Sequence, residues 1–418
     1  MSKKRTINRW VMLVILSAAT GLIYQLPYLR YSYYDAMLEA FGYSNMQLGN
    51  LMSVYGIGSV ICYIIGGVVA DRFSDKHLLM LGQVLTALGG FLFATFPSYP
   101  ISLAISFFWA FCGALVFWPA VINYIKTLGS DEEQGRIYGL FEGLRGFITT
   151  VLGLGIVALF NYYASQKMGL RAVIISYAII NLVFGIMTFV FVPYEKKAVV
   201  NESGEKASII NNFITAIKLP AAWAITISIF CTMTCFICLG YMTPYLTGVM
   251  GATVTFAATI GTIRTWGLQI VGGTGGGIIA DKIHSSSLTM FFAFIVIAVG
   301  FGLYIVLPTN KSMLMFATVL MFAFGAAIYV NRGVYFATMS EAGVPDSLGG
   351  TVVGFASALG FLPDAFMYTI IGNWLDKYDT VTGYRMIFAT GAISGVVGLV
   401  VCLLMYRNLR KGRTGANR

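Results

Sequence analysis

Residues 66–72 read Gly66-Gly67-Val68-Val69-Ala70-Asp71-Arg72, and residues 276–282 read Gly276-Gly277-Ile278-Ile279-Ala280-Asp281-Lys282. Each copy closes a long apolar run with glycines, an aspartate and a cation, and the two aspartates lie 210 residues apart. Glycine lets helices approach closely in lipid. An aspartate at a helix mouth accepts hydrogen bonds from a neighbouring helix N-terminus, and the cation pairs with a carboxylate or a lipid phosphate. Such contacts latch one face of a membrane protein in one state and release it in another. One copy is equally a helix stop with topology charges. Two copies in equivalent places favour a gate built from Gly67, Asp71, Arg72, Gly277, Asp281 and Lys282.

Working outward, apolar runs fall at 10–34, 46–70, 77–96, 101–125, 136–161, 170–193, 219–246, 252–280, 288–307, 312–339, 349–374 and 384–406. Each is long enough to cross about 30 Å of hydrocarbon at about 1.5 Å per residue. Apolar residues make up 58% of the chain and charged residues 11%, against about 25% charged in soluble domains, so the surface must face lipid. The expected fold is all-α: twelve transmembrane helices in two six-helix bundles. Six spans separate the repeated elements, which makes the repeat parallel, about an axis along the membrane normal. The predicted division is a first bundle at 1–193, a central loop at 194–218, a second bundle at 219–406 and a basic tail at 407–418.

The net charge of +10 is a topology signal here, and no nucleic-acid partner is expected. With both termini in the cytoplasm, cytoplasmic segments hold 18 of the 27 Lys and Arg and the opposite side 5, the bias that fixes orientation. Lys3, Lys4, Arg5 and Arg9 precede the first run without a small-residue cleavage site, as in an uncleaved first span. The six cysteines lie in apolar runs. Cys231, Cys235 and Cys238 share a helical face without His or carboxylate, so packing and no metal site is expected. The run Gly272–Gly277 lacks the strand and the Lys-Ser/Thr of a phosphate loop and reads as close helix packing. With no metal cluster, nucleophile triad or cofactor loop, the chain is not read as an enzyme and no cofactor is expected.

The Gly67…Asp71-Arg72 element resembles the signature loop of the major facilitator superfamily. Ser74 stands where that loop usually has glycine and Asp75 where it has a basic residue, and the second copy lacks the tail after Lys282. The resemblance is nearest to the YihN-like putative transporters of enteric bacteria, through Tyr24-x-Leu26-Pro27, Phe141-Glu142, Arg145-Gly146 and Arg332. It extends to the organophosphate and organic-anion transporter group, through Gly42-Tyr43-Ser44, Gln47-Leu48-Gly49, Trp118-Pro119, and Gly350 to Phe355 with Gly360-Phe361-Leu362. It implies secondary transport by two bundles. In that group an arginine in span one and another in span seven clamp phosphate. Here the first position falls at Tyr28, with Arg30 two residues on, span seven has no arginine, and Asn123 stands at the place of a span-four arginine. Sugar-phosphate exchange is therefore not carried over.

Four arginines sit within spans: Arg30, Arg145, Arg264 and Arg332. Each costs about 2.5–3.5 kcal/mol if left unpaired at mid-span. Glu142 and Asp364 are the comparably deep carboxylates, so the interior is cationic and an anion completes it. The arginine fork suits carboxylate, phosphate or sulfonate. Alternatives stay open for each: Arg145 pairs with Glu142 one turn away, Arg30 snorkels to headgroups, and Arg332 reaches the interface or pairs with Glu341. Arg264 has no acidic neighbour in sequence. Tyr28 and Trp118 belong to an aromatic set that either lines a cavity or packs. Both histidines lie in loops, which leaves Glu142 and Asp364 as proton carriers. The break at Pro363 makes a functional Asp364 plausible, with a partner role for Arg332 as the other reading.

The expected function is secondary active transport of a small organic anion by alternating access. Arg145 and Arg264 hold the substrate, with Arg30, Arg332, Tyr28, Trp118 and Asn123 around it. Protons or a counter-anion would drive it, and a monomer in the bacterial inner membrane is expected, with the lipid bilayer as its surroundings. The rival readings are efflux of an amphipathic compound and a transporter-like membrane sensor.

Overall fold

The computed structural model describes residues 8–129, 133–194, 215, 217–270, 272, 275–344 and 346–415, without the side chains of 63–68, 70–72, 134, 135, 340, 346–350 and 408–415. The side chains of Gly67, Asp71 and Arg72, most of the central loop and the charges of the tail beyond Arg407 therefore lie outside the described residues. Among the described residues the regular elements are all helical. Nine helical stretches among the described residues are long and apolar enough to cross a membrane, and Arg9–Ile23 is a shorter apolar helix. They fall on the predicted runs. The remaining two runs are Asn45–Arg72 and the interrupted helix from Val254 to Ile283.

Several spans are broken where the sequence demands it. Span one is Arg9–Ile23 and Arg30–Phe41, separated by turns at 24–29. Pro27 lacks an N–H, and its ring clashes with the carbonyl four residues back. Tyr33 is also non-helical, at φ −122° and ψ 37°. Gly42 ends the helix in the left-handed region at φ 67°, where only glycine is unstrained. Ser44 then starts span two with a capping box. Its hydroxyl accepts from the Gln47 N–H at 3.2 Å while the Gln47 side chain accepts from the Ser44 N–H at 3.1 Å.

Span four runs Tyr99–Ala110, a π-helical stretch Phe111–Phe117, then Trp118–Lys126. The wider π turn absorbs the missing donor and the ring of Pro119. Span eight has a second π turn, Ile263–Gly267, after Val254–Thr262. Span eleven breaks between Asp346–Gly360 and Pro363–Lys377, at the proline the sequence marked.

The chain forms two compact units. One comprises Met1–Val199 with Val254–Gly267, the other Val200–Thr253 with Leu268–Arg418. In the first, span three (Asp75–Phe93) packs on span six (Gln166–Phe191), span one on span five (Gln134–Tyr162), and span two on span four. Val254–Gly267 lies against Arg30–Phe41 and span five. Gly153 makes room there, since a Cβ on it would strike the Thr262 methyl. In the second, span nine (Ser286–Val306) packs on span twelve (Thr380–Gly415) and on span ten (Leu314–Val334), and span seven (Pro220–Gly240) packs on spans eleven and twelve. Gly272 sits against the Tyr329 carbonyl, and a Cβ on Gly276 would lie 3.0 Å from the Val330 carbonyl oxygen. The glycine run is thus a helix contact, as its sequence context suggested. A Cβ on Gly277 would meet nothing within 4 Å.

Candidate substrate-binding site

The break in span one gathers aromatic rings. Tyr28 is the hub: its ring centroid lies 6.0 Å from Tyr24, 5.5 Å from Tyr31, 5.5 Å from Tyr55 and 6.5 Å from Trp266. Tyr24 meets Trp118 edge-on at 6.4 Å. Tyr28 and Trp118 are half-buried, while Tyr24, Tyr31, Tyr55 and Trp266 are buried. Edge-on and offset pairs suit the ring quadrupoles and make the cluster stiff.

Two arginines converge on this cluster from different spans. On span five, the Arg145 guanidinium lies 5.3 Å from the Tyr24 centroid and 5.7 Å from that of Trp118. Its Nη1 donates to both Glu142 oxygens, at 3.1 and 3.3 Å, the one-turn pair that helical spacing offered. Its Nε is buried with no hydrogen-bond partner. Gly21 lets span one reach this point, since a Cβ there would collide with the Thr149 hydroxyl and crowd the Arg145 carbonyl.

Arg264 sits in the π turn of span eight, 2% exposed. Its Nη2 donates to the Tyr31 carbonyl and to Thr265 Oγ1, each at 3.2 Å. The guanidinium stands 5.7 Å from the Tyr31 centroid. One turn earlier, the Thr262 hydroxyl bonds Ser32 Oγ at 3.1 Å. Both of the Arg264 hydrogen-bond partners are neutral oxygens.

The other predicted residues lie elsewhere. Arg30 is buried at the start of Arg30–Phe41, with its guanidinium 5.2 Å from the Tyr34 centroid. Asn123 is half-buried on Trp118–Lys126 and makes no hydrogen bond to a described residue. In the second unit, Arg332 stacks over Phe236 at 4.2 Å and Tyr329 at 5.5 Å. Asp364 lies just after the span-eleven break, in the first turn of Pro363–Lys377. Glu341 is committed elsewhere: it accepts from Ser285 Oγ at 3.1 Å, from Ser287 N and Oγ at 3.0 and 2.7 Å, and from Ser286 N, capping span nine. Asp281 and Lys282 are exposed at the end of Gly276–Ile283. Among the described residues no group of His, Cys, Asp and Glu is arranged to hold a metal.

Sequence reading missed Trp266 and Tyr55. Trp266 is two residues from Arg264, about 200° around an ordinary helix, and its place depends on the π turn. Tyr55 reaches Tyr28 only through tertiary packing.

The profile of the Major Facilitator Superfamily matches residues 10–363. Two inner membrane proteins of Escherichia coli (strain K12) are similar over their whole length. YqcE is 30% identical over 407 residues, 96% of each chain, and YihN is 28% identical over 411 residues, 97% of each. The chloroplastic ascorbate transporter of Arabidopsis thaliana is 24% identical over 61% of this chain and 48% of that one. A bacterial homolog of the human lysosomal transporter Spinster, inward-facing and unoccupied, shares the fold at a TM-score of 0.76 and 14% identity, covering 98% of this chain and 99% of that one. With its helical spans and this full-length similarity, the chain belongs to the Major Facilitator Superfamily and is a membrane transporter, not an enzyme.

Proposed function

We propose that this transporter carries a small organic anion by alternating access. The observation behind the proposal is that Arg145 and Arg264, from two different spans, converge on one stiff aromatic cluster, Arg145 over Tyr24 and Arg264 over Tyr31. Arg264 is buried and Arg145 half-buried, and cations withdrawn from water favour an anion. Glu142 balances one of them, and the Arg264 hydrogen bonds to Tyr31 and Thr265 go to neutral groups. A carboxylate, sulfonate or phosphate ester matches the planar fork of either arginine. The similarity to a transporter named for ascorbate supports an organic anion.

The same reading includes Arg30, Arg332 and Asn123 as supplementary contacts and Glu142 and Asp364 as proton carriers. The repeated Gly-x-x-x-Asp-Arg/Lys elements act as latches. It places both termini in the cytoplasm of a bacterial inner membrane, divides the chain at 1–193, 194–218, 219–406 and 407–418, and takes the monomer as the working unit. The test is flux of radiolabelled carboxylates, sugar acids, sulfonates and phosphate esters into proteoliposomes under imposed proton and counter-anion gradients. Uptake of at least one such anion supports the proposal. Binding without flux would mark a sensor, and transport confined to neutral or cationic amphiphiles would mark an efflux pump.

A further inference from the structure

We infer that the cargo carries a ring as well as a negative charge, with the anionic group on Arg145 and the ring face on Tyr28 and Trp118. This deepens the organic-anion reading above and rests on it.

The arrangement around Arg145 is asymmetric. One edge of the guanidinium is taken by Glu142 through Nη1, while Nε is buried and without a partner. The Nε edge is therefore the donor an anionic group would engage in the plane of the fork. A group held there has the rings of Tyr24 and Trp118 beside it, because the guanidinium carbon lies within 6 Å of both centroids.

Aromatic rings are prominent in the surroundings. Half-buried apolar and aromatic side chains packed on the local core include Tyr28, Leu115, Trp118, Ile122, Tyr138 and Leu144. The Tyr138 hydroxyl already donates to the Ile122 carbonyl at 3.3 Å. An open chain of hydroxyls entering here would have to freeze many more torsions than a ring of equal size. A flexible alkyl chain would also lose rotamer freedom.

A ring avoids the torsional cost. Its face covers Tyr28 and Trp118 by stacking or C–H contact, and it has few torsions to freeze. Behind them Tyr24, Tyr31, Tyr55 and Trp266 are buried and in ring contact with Tyr28 or Trp118. The surface a ring would meet is therefore already fixed, which favours binding by preorganisation. The chemical class is a cyclic sugar acid or an alicyclic or aromatic carboxylate or sulfonate, in preference to an open-chain acid of equal size and charge.

The test uses the purified full-length protein and two matched pairs, glucuronate against gluconate and cyclohexanecarboxylate against heptanoate. Affinities are read by calorimetry. In at least one pair the ring member should bind about tenfold more tightly, the order expected of one aromatic contact. Trp118→Leu should bring that ratio to within about twofold, and Trp118→Phe should keep most of it, because the ring face and not the bulk is what counts. Arg145→Gln should weaken both members alike. Equal binding of ring and open-chain members, still dependent on Arg145, would overturn this inference and leave the organic-anion reading standing. A ring preference that survives Trp118→Leu would overturn the assigned ring site. No binding by any of the four anions would overturn both.

Discussion

The Arg264 guanidinium donates to the Tyr31 carbonyl at 3.2 Å and stands over the same residue's ring at 5.7 Å, across 233 residues of sequence. Tyr31 thus anchors the span-eight cation twice, once through the backbone and once through the ring. We predict that Tyr31→Leu, which keeps the carbonyl and removes the ring, weakens anion binding by about 0.5–1 kcal/mol. Tyr31→Phe should retain most of the affinity. Affinities by calorimetry, with thermal unfolding as a fold check, decide between them. Equal affinity in the leucine variant would remove the ring from the account.

Glu142 forms a 3.1 Å ion pair with Arg145, and Asp364 follows the proline break of span eleven. Glu142→Gln and Asp364→Asn imitate the protonated acids. If either acid carries the coupling proton, its variant should lose uphill accumulation while exchange of internal for external anion persists. Accumulation against a gradient at the wild-type level in both variants would take these residues out of the coupling step.

The repeated aspartates give a kinetic prediction. Asp281 is exposed at the end of its helix, so its removal should cost the fold little. Asp71→Asn and Asp281→Asn should lower transport turnover by about threefold or more while changing ligand affinity less, as expected when a latch biases two states by about 1 kcal/mol. Wild-type turnover in both would reduce the elements to topology signals.

Glu341 caps span nine with bonds to Ser285, Ser286 and Ser287. A carboxylate there also meets the positive end of the helix. Glu341→Ala should destabilise the protein by about 1–3 kcal/mol, seen as a lowered Tm in detergent, and Glu341→Gln by less. An unchanged Tm in the alanine variant would mean that water satisfies the helix end equally well.

The sequence carried the spans because lipid imposes an unambiguous length and hydrophobicity on each helix. It carried local pairs too: Glu142 and Arg145 are three residues apart, and the Pro363 break is covalent chemistry. What it did not carry is tertiary. The π turns at Phe111–Phe117 and Ile263–Gly267 depend on neighbours, and without them neither Trp118 nor Trp266 can be aimed. Glu341 could be named as a partner for Arg332, yet the serines it caps lie 54 to 56 residues away. Pro27 was visible, but that its break would collect Tyr24, Tyr28 and Tyr31 about two arginines was not.

The central claim is that Arg264 and Arg145 hold an anion through charge and fork geometry. Calorimetry of an anionic ligand against wild type, Arg264→Gln and Arg264→Lys tests it most directly. Glutamine removes the charge and lysine replaces the fork with a point charge. The account predicts a loss of about 1–3 kcal/mol in the glutamine variant and a smaller but measurable loss in the lysine variant, with neutral ligands nearly unaffected. The same affinity for the anion in all three proteins would contradict it.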